Sequence, residues 1–181
     1  MKIYLVLLLG LLISVSGLAQ RYQLASSQVS FSSSAPLEDI EAKSTEAKSI
    51  FNAETGEVAF VIPIKSFEFD KALMQEHFNE NYLESEQYPN ATFEGELEGF
   101  DADQSGAQTV TAQGQMTIHG VTQSLEVEGT IQPQAGGWEM EAIFPIKMAD
   151  YKIKIPKVVF YNIAEVVDVT VHFTYQADAQ P

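Results

Sequence analysis

Three histidines are the most versatile chemical groups in this chain, and their spacing argues against a metal centre. His77, His119 and His172 are far apart, none has a neighbouring His at ligand spacing, and there is no Cys anywhere. No metal and no cofactor is assigned. The acidic residues Glu94, Glu96 and Glu98 alternate along an apparent strand and read as a solvated face, not as a general acid and base. No nucleophile elbow or phosphate-cradling glycine loop is present, so no catalytic residue is named and a noncatalytic protein is expected. His119 precedes Gly120 and suits a tight turn, where His tolerates positive φ better than bulky residues do. His77 sits at the edge of an apolar helix face, where it either makes a structural hydrogen bond or touches a ligand. One basic cluster stands out: Lys147, Lys152, Lys154 and Lys157 fall within eleven positions of an acidic protein. They form either an exposed connection or a positive rim for a phosphate or other polar head group.

The element that carries His77 runs between Phe67 and Phe93. Asp70 is a good N-cap, Ala72 to Glu76 are strong helix formers, and Met74, Phe78 and Tyr82 repeat every fourth residue on one face. Pro89 ends the helical stretch and Ala91 opens a strand. The segment therefore predicts one amphipathic helix crossing over a sheet.

The rest of the chain alternates. Tyr22 and Leu24 share one parity and Val29 and Phe31 the other, which predicts a bulge near Ser26 and Ser27. Ala35-Pro36 breaks this strand, and the pattern of Ile40, Ala42 and Ile50 fits either strand or a short helical turn. Val58, Phe60, Ile62 and Ile64 form an apolar face, with Pro63 marking an edge or an interrupted ladder. Val110 to Ile118, the two-residue loop His119-Gly120 and Val121 to Ile131 make a hairpin that sets Ile118 opposite Val121, Gly114 opposite Leu125 and Val110 opposite Gly129. Trp138 to Phe144 and Val167 to Tyr175 supply two more strands, with a frayed tail from Gln176. The fold class is mainly β: an antiparallel up-and-down barrel of about eight strands with one covering helix, and a two-layer sandwich is the alternative.

Several inward positions are small, namely Ala91, Gly95, Gly99, Ala112, Gly114, Gly129 and Ala142. They either mark bends in the closing sheet or leave room for a ligand. Around them stand Phe60, Ile62, Phe93, Leu97, Met116, Leu125, Val127, Trp138, Met140, Phe144 and Phe173, an uncharged lining suited to a hydrocarbon chain. Met74, His77, Phe78 and Tyr82 are the expected contacts from the helix and mouth.

Met1 to Ala19 has one Lys, an apolar run and the small-x-small ending Gly17-Leu18-Ala19, a signal peptide by pattern. Residues 20–181 are then one exported domain, periplasmic or secreted, without disulfides and with no segment long enough to span a membrane. The formal charge of −15 argues against nucleic acid and anionic surfaces as general partners. A homodimer of two such barrels is compatible with the sequence.

Two stretches resemble the YceI-like family of exported, lipocalin-like barrels. Glu76-His77-Phe78, Tyr82-Leu83 and Tyr88-Pro89-Asn90-Ala91-Thr92-Phe93 are similar to its helix and the strand after it, and Gly114 to Thr122 to its Thr-Ile-His-Gly-Val-Thr hairpin. Lys147-Met-Ala-Asp150-Tyr151-Lys152 departs from the family's Arg-x-Asp-Phe-Gly, and Gln75 replaces its usual Asp. The resemblance spans about Gln20 to Tyr175 and implies a lipocalin-like barrel that holds a polyisoprenoid tail. The expected function is sequestration of one long apolar lipid, an isoprenoid, quinone or fatty acyl type. The alternatives are a noncatalytic stress-response or interaction module with a filled barrel, and a barrel enzyme acting on a small apolar substrate.

Overall fold

A computed structural model describes residues 21–33, 40–154 and 164–177. The leader pattern, Ala35-Pro36 and Lys157 lie outside these described residues. The strands are β1 (Arg21–Ser33), β2 (Ile40–Ser44), β3 (Lys48–Asn52), β4 (Glu57–Pro63), β5 (Glu68–Phe69), β6 (Asn90–Glu98), β7 (Gln108–Ile118), β8 (Val121–Gln134), β9 (Gly137–Lys147) and β10 (Val166–Ala177), with one α-helix, α1 (Ala72–His77). Neighbours pair antiparallel from β10 through β9, β8, β7, β6, β4 and β3 to β1, and β1 pairs with β10 to close the sheet.

β2 and β3 act as one broken stave. β3 pairs with Arg21, Tyr22 and Gln23, β2 with Val29 to Ser33, and residues 45–47 bend between them. This settles the ambiguous segment as strand. Serines hold the bend: Ser27 Oγ donates to the Thr45 carbonyl at 3.1 Å, and buried Ser44 Oγ meets Ser66 Oγ at 2.6 Å. The short β5 adds to β2. The result is an eight-stave closed barrel, not a two-layer sandwich, because closure leaves no unpaired long edge.

Local chemistry explains the register. The shift in β1 falls between Leu24 and Ser26, slightly before the expected place, and switches the inward parity from Tyr22 and Leu24 to Ser27 and Val29. Pro63 ends the ladder on one side: β3 pairs with β4 only as far as Val61, whereas β6 follows β4 to Pro63. The His119-Gly120 turn has φ of 52° and 70°, the left-handed pair that a two-residue hairpin requires, and the three predicted cross-strand pairs all form. The tail is ordered further than expected, since β10 reaches Ala177 and that residue's N–H donates to the Gly136 carbonyl at 3.0 Å.

One end of the barrel is filled with aromatic side chains. Trp138 packs edge-on against Phe100 and Tyr22, Phe51 lies between Phe100 and Tyr175, and Phe60 stacks on Phe93 and abuts Phe173. Tyr175 is fully buried. Ser49 Oγ donates to the Ala59 carbonyl at 2.8 Å, which leaves the Tyr175 hydroxyl to donate to Ser49 Oγ at 2.6 Å. Burial pushes the Tyr175 phenol well above its ordinary value, and the Ser49 hydrogen bond offsets this only in part. Above about pH 10 the unfolded chain loses this proton while the folded one keeps it, so stability falls by up to ~1.4 kcal/mol per pH unit. Urea midpoints measured across that range should drop with rising pH, and Tyr175→Phe should flatten the slope. Tyr82 and Tyr151, also pushed up by burial, leave a residual slope.

Candidate functional site

The opposite end is hollow. A cavity of about 360 Å³ opens under α1 and is bounded by the ends of most staves: Val29, Phe31 and Ser33 of β1, Ile62 of β4, Ala91 of β6, Met116 and Ile118 of β7, Ile146 of β9, and Val167 and Val169 of β10. Phe67 and Phe69 from the β5 region and Met148 and Ile153 from the turn after β9 complete the wall. The volume lies at the low end of the ~300–1,000 Å³ usual for ligand pockets. Hydrocarbon dominates the surface, and among the described lining residues the polar side chains are Ser33, His77 and Tyr82.

The cover is a strap and not the full helix expected. α1 spans only Ala72–His77, begins after Lys71 without a side-chain cap, and passes into a π-helical turn over Phe78–Tyr82. Asp70 therefore does not cap it. Asn79 explains the change of pitch: its Nδ2 donates to the Gln75 carbonyl at 2.9 Å, and Leu83 N donates to the Phe78 carbonyl five residues back at 2.9 Å. A helix this short is not stable alone. Phe78 holds it down, stacking on Phe31 at 5.4 Å and meeting Phe69 at 5.0 Å and Phe67 at 5.7 Å. Leu73 lines the cavity while 61% exposed, so the cavity reaches the surface at that side chain. Neither α1 nor the π turn contains a buried residue, which makes the strap a thinly buried boundary of the site.

The far end of the strap is tied to the hairpin. His119 Nδ1 donates to the Tyr151 carbonyl at 3.2 Å, its Nε2 lies 2.7 Å from Glu84 Oε2, and its ring meets Tyr88 with centroids 4.5 Å apart. His119 thus joins three segments around the mouth, a role that its reading as a turn residue does not include. Local signals in the sequence mark the turn. The Glu84 and Tyr151 contacts span 35 and 32 residues and leave no local trace.

The residues expected to touch a ligand separate into two groups. Met74, His77, Phe78 and Tyr82 all border the cavity, as do Ile62 and Met116. Phe60, Phe93, Leu97, Leu125, Val127, Trp138, Met140, Phe144 and Phe173 do not, and belong to the packed core instead. The small residues do not produce the hollow. Of the seven, only Ala91 lines it. Gly95 and Gly114 face each other across β6 and β7, and the Phe93 ring covers both, its Cζ 2.8 Å from where either Cβ would stand. Gly129 sits against Ala142, a Cβ there falling 3.1 Å from the alanine's own. Small residues here admit an aromatic ring and close strands. The hollow arises where the staves end and a thin strap replaces side-chain filling.

Lys147, Lys152 and Lys154 are exposed, and Lys152 and Lys154 flank Ile153, which turns into the cavity. Lys152 has φ of 57° and ends the turn over Met148–Tyr151. These three lysines stand outside the apolar wall. His172 lies on the outer face of β10, paired with Glu139 Oε1 at 2.9 Å, so the three histidines occupy the strap, the hairpin tip and the outer wall.

A family model described as YceI-like domain matches residues 21–175. Among solved structures, a polyisoprenoid binding domain from Saccharophagus degradans is similar at 18% identity and a TM-score of 0.74, over 86% of this chain and 98% of that one. BcnA of Burkholderia cenocepacia follows at 19% identity and a TM-score of 0.68, over 82% and 95%. A YCEI protein of Campylobacter jejuni has 15% identity and a TM-score of 0.60, over 75% and 82%. At these identities the likeness concerns the fold. No curated protein sequence matches the chain.

Proposed function

This chain belongs to the YceI-like domain family, and from that premise we propose that it is a noncatalytic carrier that sequesters the tail of a long apolar lipid under the strap. The apolar cavity of about 360 Å³ supports this reading above any other observation. Burying about ten methylenes contributes on the order of 8 kcal/mol, the equivalent of micromolar affinity before ordering costs are subtracted. The candidate classes are isoprenoid, quinone and fatty acyl lipids. The Saccharophagus degradans relative, a polyisoprenoid binding domain, favours the first. Export rests on the leader pattern of Met1 to Ala19 and places the carrier in the periplasm or outside the cell. Among the described residues, the cavity's polar groups comprise no paired acid and base and no nucleophile beside a base: Ser33 Oγ accepts from Ala164 N at 3.1 Å.

Native mass spectrometry of the full chain purified under mild conditions should show an adduct of lipid mass that disappears after solvent extraction. An apo mass throughout, together with no adduct after incubation of the extracted protein with farnesol, overturns the carrier reading.

A further inference from the structure

The cavity wall carries two polar side chains for which the described residues supply no partner. Among the described residues, neither His77 nor the Tyr82 hydroxyl has a hydrogen-bonding group to meet, and both are half-buried against hydrocarbon. Ser33, the third polar liner, is already engaged with Ala164 N. In a continuous α-helix, residues five apart diverge by roughly 140° around the axis, so His77 and Tyr82 would not share a face. The π turn between them closes a ring across five residues, seen in the Leu83 N to Phe78 carbonyl bond, and both side chains reach the same cavity. Asn79 maintains that turn through its bond to the Gln75 carbonyl.

We infer that His77 and Tyr82 form a head-group clamp that selects lipids ending in a neutral oxygen function, a hydroxyl or carbonyl, over both bare hydrocarbons and phosphate esters. The inference rests on the carrier reading and names the chemical class of its ligand. A neutral imidazole offers one donor and one acceptor and a phenol offers both, so together they satisfy a hydroxyl or a carbonyl. Burial holds the Tyr82 phenol above its ordinary value, which keeps it an O–H donor. A phosphate is poorly served by the described residues, because none of those lining the cavity is Lys or Arg and Lys152 and Lys154 face water on either side of Ile153. Burying a charge without a partner is far costlier than burying a hydroxyl that finds one.

Three probes of one chain length test this on the extracted full-length protein by calorimetry: farnesol, its deoxy hydrocarbon and farnesyl monophosphate. The wild type should bind farnesol more tightly than the hydrocarbon by about two- to tenfold for each hydrogen bond formed, and more tightly than the phosphate. His77→Phe with Tyr82→Phe should bring farnesol down to the affinity that the same variant has for the hydrocarbon, and a urea melt of the variant reports that the fold is intact. If the preference is absent from the wild type, survives in the double variant, or favours the phosphate, the clamp is refuted and carriage stands. If the wild type binds none of the probes, the carrier reading falls and the clamp with it.

Discussion

Ala91→Phe should abolish uptake of farnesol while leaving the barrel folded. Ala91 is buried, lies opposite Ile62 across β4 and β6, and faces the hollow. A phenyl group there occupies space that the lipid tail needs and displaces about four methylenes, worth ~3 kcal/mol, so affinity should fall about a hundredfold or more. The added ring enters existing space, so the denaturation midpoint should hold or rise. Ala112→Phe supplies the contrast. Ala112 is also small and inward-facing, but it sits between Leu97 and Val127 in the packed part of the barrel. Overpacking there should cost about 1–3 kcal/mol of stability with little direct effect on the cavity. Calorimetric titration and urea melts of the two variants separate a binding defect from a folding defect. Unchanged farnesol affinity in Ala91→Phe would remove the cavity from the binding mechanism.

The two alanines show what could be read from the sequence and what could not. Parity along a strand is a local property, so the inward sets through Ile62, Met116, Trp138 and Phe173 were legible, and so was the Ile118-His119-Gly120-Val121 hairpin, whose register follows from turn chemistry. Where along the barrel axis the interior is full or empty depends on which staves end together and what covers them. That information is not periodic. Hence Ala91 and Ala112 look alike in the sequence yet lie in different parts of the interior, and liners such as Ile153 and Met148, from an irregular turn, carried no alternation to reveal them. The strap was legible as a cover because Met74, Phe78 and Tyr82 are spaced for one face. Its π turn was not, because it depends on Asn79 reaching the Gln75 carbonyl, a choice that propensity does not encode.

On the carrier reading, stability and binding fall to different ends of one sheet. The aromatic end, from Tyr22 and Phe51 to Trp138 and Tyr175, is packed against ring neighbours and closes the barrel. The other end leaves its staves apolar and under-filled, with a strap held by Phe78 and by the Glu84–His119 tie. A ligand completes the second end without being needed by the first. Lipid extraction is therefore compatible with a folded apo protein, on which every binding test above depends.

The contact between β6 and β7 leaves no room for a side chain, and Gly114→Ala should be strongly destabilising. A Cβ on Gly114 would stand 2.3 Å from the Glu94 carbonyl oxygen and 2.7 Å from the Gly95 Cα, both backbone atoms that cannot rotate away. Relief requires β6 and β7 to separate, which weakens their ladder and lifts Phe93 off the glycine pair and out of its stack with Phe60. A loss of about 3 kcal/mol or more is expected, at or beyond the upper end of ordinary overpacking. Phe93→Leu distinguishes the causes. If the ring were the obstacle, adding Phe93→Leu to Gly114→Ala would restore much of the stability; because the nearest obstruction is the Glu94 carbonyl, the double variant should be no more stable than Gly114→Ala alone. Urea denaturation of the two single variants and the double variant completes the cycle, and a rescue of more than about 1 kcal/mol would transfer the constraint from the backbone to the aromatic ring.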